Sequence, residues 1–282
     1  MTRHNLPTKN AERAARQAAA HPWVESLARY GIAAKGVVYA IVGVLAAQAA
    51  FGAGGRTTDS QGALQTIVTQ PFGKILLGLV AIGLVGYVVW RFVQAFLDPE
   101  RKGTDAKGIA QRIGYIISGL IYAGLALTAT KIILGSGSGG GSNSTQHWTA
   151  RLLAQPFGQW LVATVGVIII GVACYQIYKA FTGKFRQELK WQEMRNVERT
   201  WAMRLGRFGL TAQAIVFIII GFFLIQAARQ SDPNQARSLG GALAALAEQP
   251  YGPWVLGVVA IGLVAYGIYM MVQARYRRVV TA

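Results

Sequence analysis

Residues 29–51 read RYGIAAKGVVYAIVGVLAAQAAF, and from Ile32 to Phe51 the chain carries one charge, Lys35, with no proline and no acid. At about 1.5 Å of rise per residue this stretch reaches about 30 Å, the thickness of a bilayer's hydrocarbon. In lipid it must be a helix, because a helix satisfies its own backbone hydrogen bonds where no water can. Five more runs follow: Ile75–Phe96, Ile113–Leu134, Leu161–Phe181, Leu210–Ala228 and Trp254–Val272. None contains proline, and none alternates with the period of two that a membrane barrel strand would show. The composition agrees. Of 282 residues 53% are apolar before 34 glycines are counted, 14% are charged and the mean hydropathy is +0.35, whereas soluble domains hold roughly 25% charged residues. The reading is an all-α polytopic membrane protein with six transmembrane helices.

The net charge of +17, from 28 Lys and Arg against 11 Asp and Glu, would suit nucleic acid if it lined one groove with stacking aromatics. Its distribution points to the membrane instead. Twenty-one basic residues fall in the head, the tail and the second and fourth loops counted with the adjoining ends of their spans, which hold Arg91 and Lys179; five fall in the other three loops, and the remaining two are Lys35 and Lys131. By the positive-inside rule both termini are expected in the cytoplasm, in the inner (plasma) membrane, with no nucleic-acid partner. A polar head of about 30 residues precedes a first run too long for a signal-peptide core, so the first span is expected to be retained. The one cysteine, Cys174, excludes an internal disulfide and reads as a small buried hydrophobe.

Aligned on itself, the chain contains three copies of one helical hairpin. The first helices begin Arg29-Tyr30-Gly31, then Lys35-Gly36-Val37-Val38-Tyr39; Arg112-Ile113-Gly114, then Ser118-Gly119-Leu120-Ile121-Tyr122; and Arg207-Phe208-Gly209, then Gln213-Ala214-Ile215-Val216-Phe217. The second helices open with Gln70-Pro71-Phe72-Gly73, Gln155-Pro156-Phe157-Gly158 and Gln249-Pro250-Tyr251-Gly252. Two spans per copy give all copies the same orientation, which predicts three tandem hairpins in a pseudo-threefold arrangement about the membrane normal. Inverted repeats, the mark of many alternating-access carriers, are absent at this level. The divisions are a polar head (1–26), repeat 1 (27–98), repeat 2 (99–182), a basic amphipathic linker (183–206), repeat 3 (207–275) and a tail (276–282).

In these motifs, together with Gly62-Ala63-Leu64 and its counterpart Gly241-Ala242-Leu243, the chain resembles the DUF1206 family of bacterial membrane proteins from about Leu27 to Arg275. The second copy departs from the pattern, with His147-Trp148-Thr149 in place of Gly-Ala-Leu and a longer Gly/Ser loop. The resemblance implies a two-helix unit in three copies and a bacterial setting, and it brings no activity.

Gly36 and Gly43 are seven residues apart and share a helix face within about 20°. Gly119 with Ala126 and Ala214 with Gly221 stand at equivalent places, while Gly78, Gly83 and Gly86 on the second span are echoed by Gly257, Gly262 and Ala265. Small residues let membrane helices approach closely, so these are expected packing seams. Polar residues repeat in the odd spans as Lys35, Ser118 and Gln213 near the basic end, and as Gln48, Lys131 and Gln226 near the other. Thirteen residues separate the two sets, which leaves them about 140° out of phase, so only one set can face a common axis. The plain expectation is that Lys35 and Lys131 snorkel to headgroups while Ser118 and the glutamines bond to neighbouring backbone.

No Asp, Glu or His lies in the six runs, which argues against a proton- or sodium-coupled carrier. His4, His21 and His147 are scattered without metal or haem spacing, and Gly135 to Ser142 lacks the lysine and setting of a phosphate loop. No catalytic residue, metal site or cofactor is expected, and no enzyme activity. From Lys184 to Arg207 the chain carries Trp191, Met194, Val197 and Trp201 within about 120° of one another on a helix. This predicts an amphipathic helix on the cytoplasmic leaflet, with Lys184, Arg186, Arg195 and Arg204 near anionic headgroups and Trp191 and Trp201 at the interface. Pro22 to Arg29 reads as a shorter version, and Asp59–Val68 and Ser238–Ala247 as short apolar segments that lie flat or dip inward. The expected role is a non-enzymatic scaffold or accessory subunit contacting lipids or a membrane partner. The alternative is a passive channel or small-solute permease along the pseudo-threefold axis.

Overall fold

The computed structural model describes residues 22–52, 55–99, 103, 105–136 and 144–277. His4 and His21, most of the polar head and most of the Gly/Ser connector lie outside the described residues. Each apolar run is a helix, and the helices α1 to α9 follow in chain order: Pro22–Ala50, Ser60–Val68, Gly73–Leu97, Ala106–Ile133, Ser144–Leu153, Gly158–Thr182, Asn196–Gln230, Leu239–Ala247 and Gly252–Tyr276. The six long ones, α1, α3, α4, α6, α7 and α9, are long and apolar enough to cross a membrane. Single 3-10 turns and one isolated bridge, Leu189 to Arg277, complete the described chain. At 35 residues α7 is about 52 Å long, well beyond a bilayer's hydrocarbon, so one end of it projects.

The Gln-Pro-Phe/Tyr-Gly signature is a turn made the same way three times. Proline presets its own φ, and the aromatic residue takes the left-handed conformation, with φ of 59° at Phe72, 61° at Phe157 and 63° at Tyr251. The glycine N–H then closes on the glutamine carbonyl at 2.8, 2.8 and 2.7 Å. Glycine is needed there because a Cβ at Gly73, Gly158 or Gly252 would run into carbonyls at the end of the preceding short helix. The three aromatic rings project outward, about four fifths exposed, as interfacial rings do.

The short helices dip inward. Asp59 caps α2, accepting from the N–H of Gln61 and Gly62 at 3.0 Å each, and Ser238 caps α8. Their Gly-Ala-Leu motifs place Ala63, Leu64, Ala242 and Leu243 in the main core beside Val42, Ala129 and Val216 of three odd spans. This plugs the end of the bundle opposite the basic linker.

Around the bundle α4 packs on α3, α3 on α1, α1 on α9, α9 on α7, and α7 on α6. Repeats 1 and 3 therefore form packed hairpins, but α4 and α6, consecutive spans of repeat 2, do not pack on each other. The arrangement is an arc of six helices with one open side in place of a closed threefold ring. The reason lies in one pair of positions. In repeat 1 a Cβ on Gly83 would lie 2.5 Å from the Ala34 Cβ, and Gly262 meets Ala212 in the same way in repeat 3. Repeat 2 has Ile117 and Ile168 at these positions, 53% and 57% exposed. Gly114 and Gly171, the counterparts of close-packed Gly31 and Gly86, meet nothing within 4 Å.

The other seams fall between repeats. Gly36 and Gly43 lie against the backbone of Gly267, Ala260 and Val264 on α9, and Gly221 lies against Gly166 on α6. Gly83 and Gly86 pack on α1, whereas Gly119 touches α3 only in ordinary van der Waals contact, and Gly78 faces open space.

Three local expectations are corrected. Pro22–Arg29 is the first part of α1, with Val24 and Ala28 buried against Trp90 of α3. The basic linker is not one surface helix. Lys184–Glu188 and Trp191–Glu193 are 3-10 turns, because Phe185 and Leu189 insert into the core, Phe185 edge-on to Tyr269 at 5.5 Å, and Lys190 N–H donates to the Tyr276 carbonyl at 2.7 Å. Its second half, from Asn196, is the start of α7. Cys174 faces outward on α6, which has α7 as its one long-helix neighbour and so exposes most of its surface.

Candidate functional site

Helical periodicity puts residues four apart on one face. Lys35 and Tyr39 share a face of α1, Tyr87 and Arg91 of α3, and Ser118 and Tyr122 of α4, while Gln213 of α7 and Tyr266 of α9 come from the far side of the arc. These faces meet. The Lys35 Nζ lies 5.7, 5.4, 5.4 and 5.7 Å from the ring centres of Tyr39, Tyr87, Tyr122 and Tyr266. Its hydrogen bond is to the Tyr87 hydroxyl, at 3.5 Å. The rings brace one another edge-on, Tyr39 with Tyr266 at 5.0 Å and Tyr87 with Tyr122 at 4.6 Å.

The Tyr87 oxygen is the hub. Arg91 donates to it from Nε at 2.8 Å and also from Nη2, and Nη1 donates to Gln94 Oε1 at 2.9 Å. Ser118 bonds to the same hydroxyl. Across the cluster Gln213 Nε2 donates to the Tyr39 hydroxyl at 3.4 Å. Tyr39, Tyr87, Tyr266 and Gln213 are buried, while Lys35, Arg91, Ser118 and Tyr122 keep a partly accessible flank.

Two cations thus sit among phenols, and among the described residues no carboxylate joins them; Glu25 of α1 pairs instead with Arg29 at 2.5 Å. Each ring contact contributes about 0.5–1 kcal/mol. Together the four offset part of a desolvation cost of several kcal/mol per buried ion.

The structure therefore brings together Lys35, Ser118 and Gln213, and Lys35 does not snorkel. Gln48, Lys131 and Gln226 stay apart: Gln48 and Lys131 are exposed and Gln226 half-buried. Arg91 and the four tyrosines are not among the polar positions the sequence singles out. Arg91 lies inside α3, not in the basic loop beyond it. The tyrosines were visible as Tyr39 and Tyr122 in the repeated helix start, and Tyr87 and Tyr266 stand at equivalent places in repeats 1 and 3, where repeat 2 has outward-facing Val172.

At the basic end, the linker forms a cleft of about 390 Å³ lined by Arg186, Gln187, Leu189 and Trp191. The Arg186 guanidinium sits 5.8 Å from the Trp191 ring. Lys184 donates to the Tyr178 hydroxyl at 3.0 Å, a bond that raises the lysine above its ordinary range. Arg204 lies beside exposed Trp201, and the Arg195 N–H is capped by Glu198 at 2.8 Å.

The DUF1206 model, a domain of unknown function, matches the chain three times, at residues 30–98, 113–183 and 208–277. The uncharacterized protein YxxB of Bacillus subtilis (strain 168) is 41% identical over 256 residues, covering 91% of this chain and 92% of its own. No solved structure matches.

Proposed function

The chain belongs to the DUF1206 family, and we propose that it acts as a non-enzymatic membrane scaffold or accessory subunit whose open side, between α4 and α6, receives lipid or a partner's helix. The observation that carries this reading is that α4 and α6 have one long-helix neighbour each, so two spans consecutive in sequence leave apolar faces unmatched. The basic linker is given a supporting role: its cleft and the exposed Lys184, Arg186, Arg195 and Arg204 hold anionic headgroups. The protein lies in the bacterial plasma membrane with both termini in the cytoplasm, the side its basic segments favour. A second reading, a passive permease, is favoured by the accessible flank of Lys35 and Arg91 and opposed by the inserted Leu64 and Leu243.

A liposome flux assay with chloride and small neutral solutes separates the two. The scaffold reading expects permeability equal to that of protein-free vesicles. Transport that changes on Lys35→Ala or Lys131→Ala overturns it. Reporter fusions at the two ends test the orientation, and signal from outside the cell at either end overturns that part.

A further inference from the structure

We propose that the accessible flank of Lys35 is a binding site for an anionic group, held by the Lys35 ammonium and the Arg91 guanidinium and bordered by the Ser118 and Tyr122 hydroxyls. Four observations meet there. Both cations converge on the oxygen of one tyrosine, Tyr87, at 3.5 and 2.8 Å. The four ring faces attract the lysine's charge, and the apolar runs around them contain no Asp or Glu. An ammonium has three N–H groups and a guanidinium five. Lys35 uses one, at the limit of hydrogen-bond reach, and Arg91 directs three to Tyr87 and Gln94. Lys35, Arg91, Ser118 and Tyr122 are partly accessible while the rest of the cluster is buried, so the approach assigned to the ligand is from the side formed by α1, α3 and α4.

The ligand chemistry is a single anionic group of modest size: a free monovalent ion, or the phosphate of a lipid headgroup. Lys35 is three residues inside the apolar run that starts at Ile32, about 4.5 Å along the helix, so a headgroup can reach its depth. The site does not depend on the scaffold reading, since an anion can be held with or without being passed across.

The test uses the full chain, purified in neutral detergent. Chloride is titrated against gluconate and followed by ³⁵Cl line broadening, and bound phospholipid is counted by native mass spectrometry. A free-ion site predicts saturable chloride binding that weakens at least tenfold in Lys35→Met and is kept in Lys35→Arg and in Lys131→Met. A headgroup site predicts no saturable chloride but a retained phospholipid that Lys35→Met loses and Lys131→Met keeps. Should Lys35→Met fail to give monodisperse protein, Ser118→Val, which removes a hydroxyl from the same flank without touching a charge, must weaken whichever binding is seen at least threefold. Wild-type protein that binds neither probe, or binding that survives these changes, overturns the proposal. Flux in liposomes is read separately, so failure of the scaffold reading leaves this result intact.

Discussion

Tyr87 is the residue on which the interior turns, because its oxygen takes bonds from Arg91 and Lys35 while its ring faces Lys35 at 5.4 Å. Tyr87→Phe keeps the ring and deletes the oxygen, leaving two cations without their common partner. A hydrogen bond to a charged group contributes about 1.5–3 kcal/mol, and a loss of that order is expected from denaturant unfolding in micelles. Tyr30→Phe, an exposed tyrosine of α1, should change nothing measurable. Equal effects would mean that the oxygen carries no special share. Lys35, Ser118 and Gln213 are legible as one set because a threefold repeat aligns them, and the phase difference along the helix separates them from Gln48, Lys131 and Gln226. Tyr87 was harder to read, because Val172 breaks the pattern in repeat 2. Arg91 stands so close to the basic loop that charge alone could not place it.

Among the elements, the short helix α2 carries a pH signature. Burial pushes the Asp59 carboxyl above its ordinary range, against the opposing bonds from the Gly62 and Gln61 N–H groups. A carboxyl raised in the fold keeps its proton to higher pH there than in the unfolded chain, so the stability linked to Asp59 is present at low pH and falls as pH rises through the raised value. Asp59→Asn keeps an acceptor for the cap and removes the charge, so it should flatten that decline just above the usual carboxylate range. Asp59→Ala should cost about 1 kcal/mol across the range. Thermal melts between pH 4 and pH 8 check both, on the order of the carboxylate titration window, and a wild-type curve no steeper than that of the asparagine variant defeats the argument. The glycines offer a second contrast. A methyl at Gly73 would sit 2.5 Å from the Ile67 carbonyl oxygen, whereas Gly78 faces open space. Gly73→Ala should therefore cost about 1–3 kcal/mol, as overpacking does, and Gly78→Ala should leave the melting temperature unchanged or raised. The helices and turns could be read from runs and prolines. The folding of the basic linker could not, since Phe185 and Leu189 insert into the core through contacts with the distant α9 and the residues just beyond it.

At the scale of the molecule, three similar units produce an arc that is not closed, and the difference comes down to bulk at one seam. Ala34 with Gly83 and Ala212 with Gly262 let two hairpins close, and Ile117 with Ile168 holds the third apart. The alignment contained this substitution all along. What it lacked was the knowledge that these positions face each other across a hairpin, which depends on helix rotation and not on spacing. Disulfide trapping in native membranes, in a Cys174→Ser background, tests the consequence directly. Paired cysteines bond with their Cβ atoms about 3.5–4.5 Å apart, and these two seams are tighter than that, so a separation of the helices by about 1–2 Å brings Ala34→Cys with Gly83→Cys, and Ala212→Cys with Gly262→Cys, into bonding range, and both should cross-link within the chain. Ile117→Cys with Ile168→Cys should stay reduced under the same oxidant. Each double variant also shrinks or enlarges its seam, so the comparison needs Ile117→Ala with Ile168→Gly, which rebuilds the small pair in repeat 2. If bulk alone keeps α4 from α6, that variant should bring the two spans together, and cysteines at Gly114 and Val172, the counterparts of the touching Gly31 and Tyr87, should then gain a cross-link they lack in the parent chain. Efficient bonding of the 117–168 pair in otherwise unaltered protein would mean that the bundle is closed in the bilayer, and the open side would have to be given up together with the partner assigned to it.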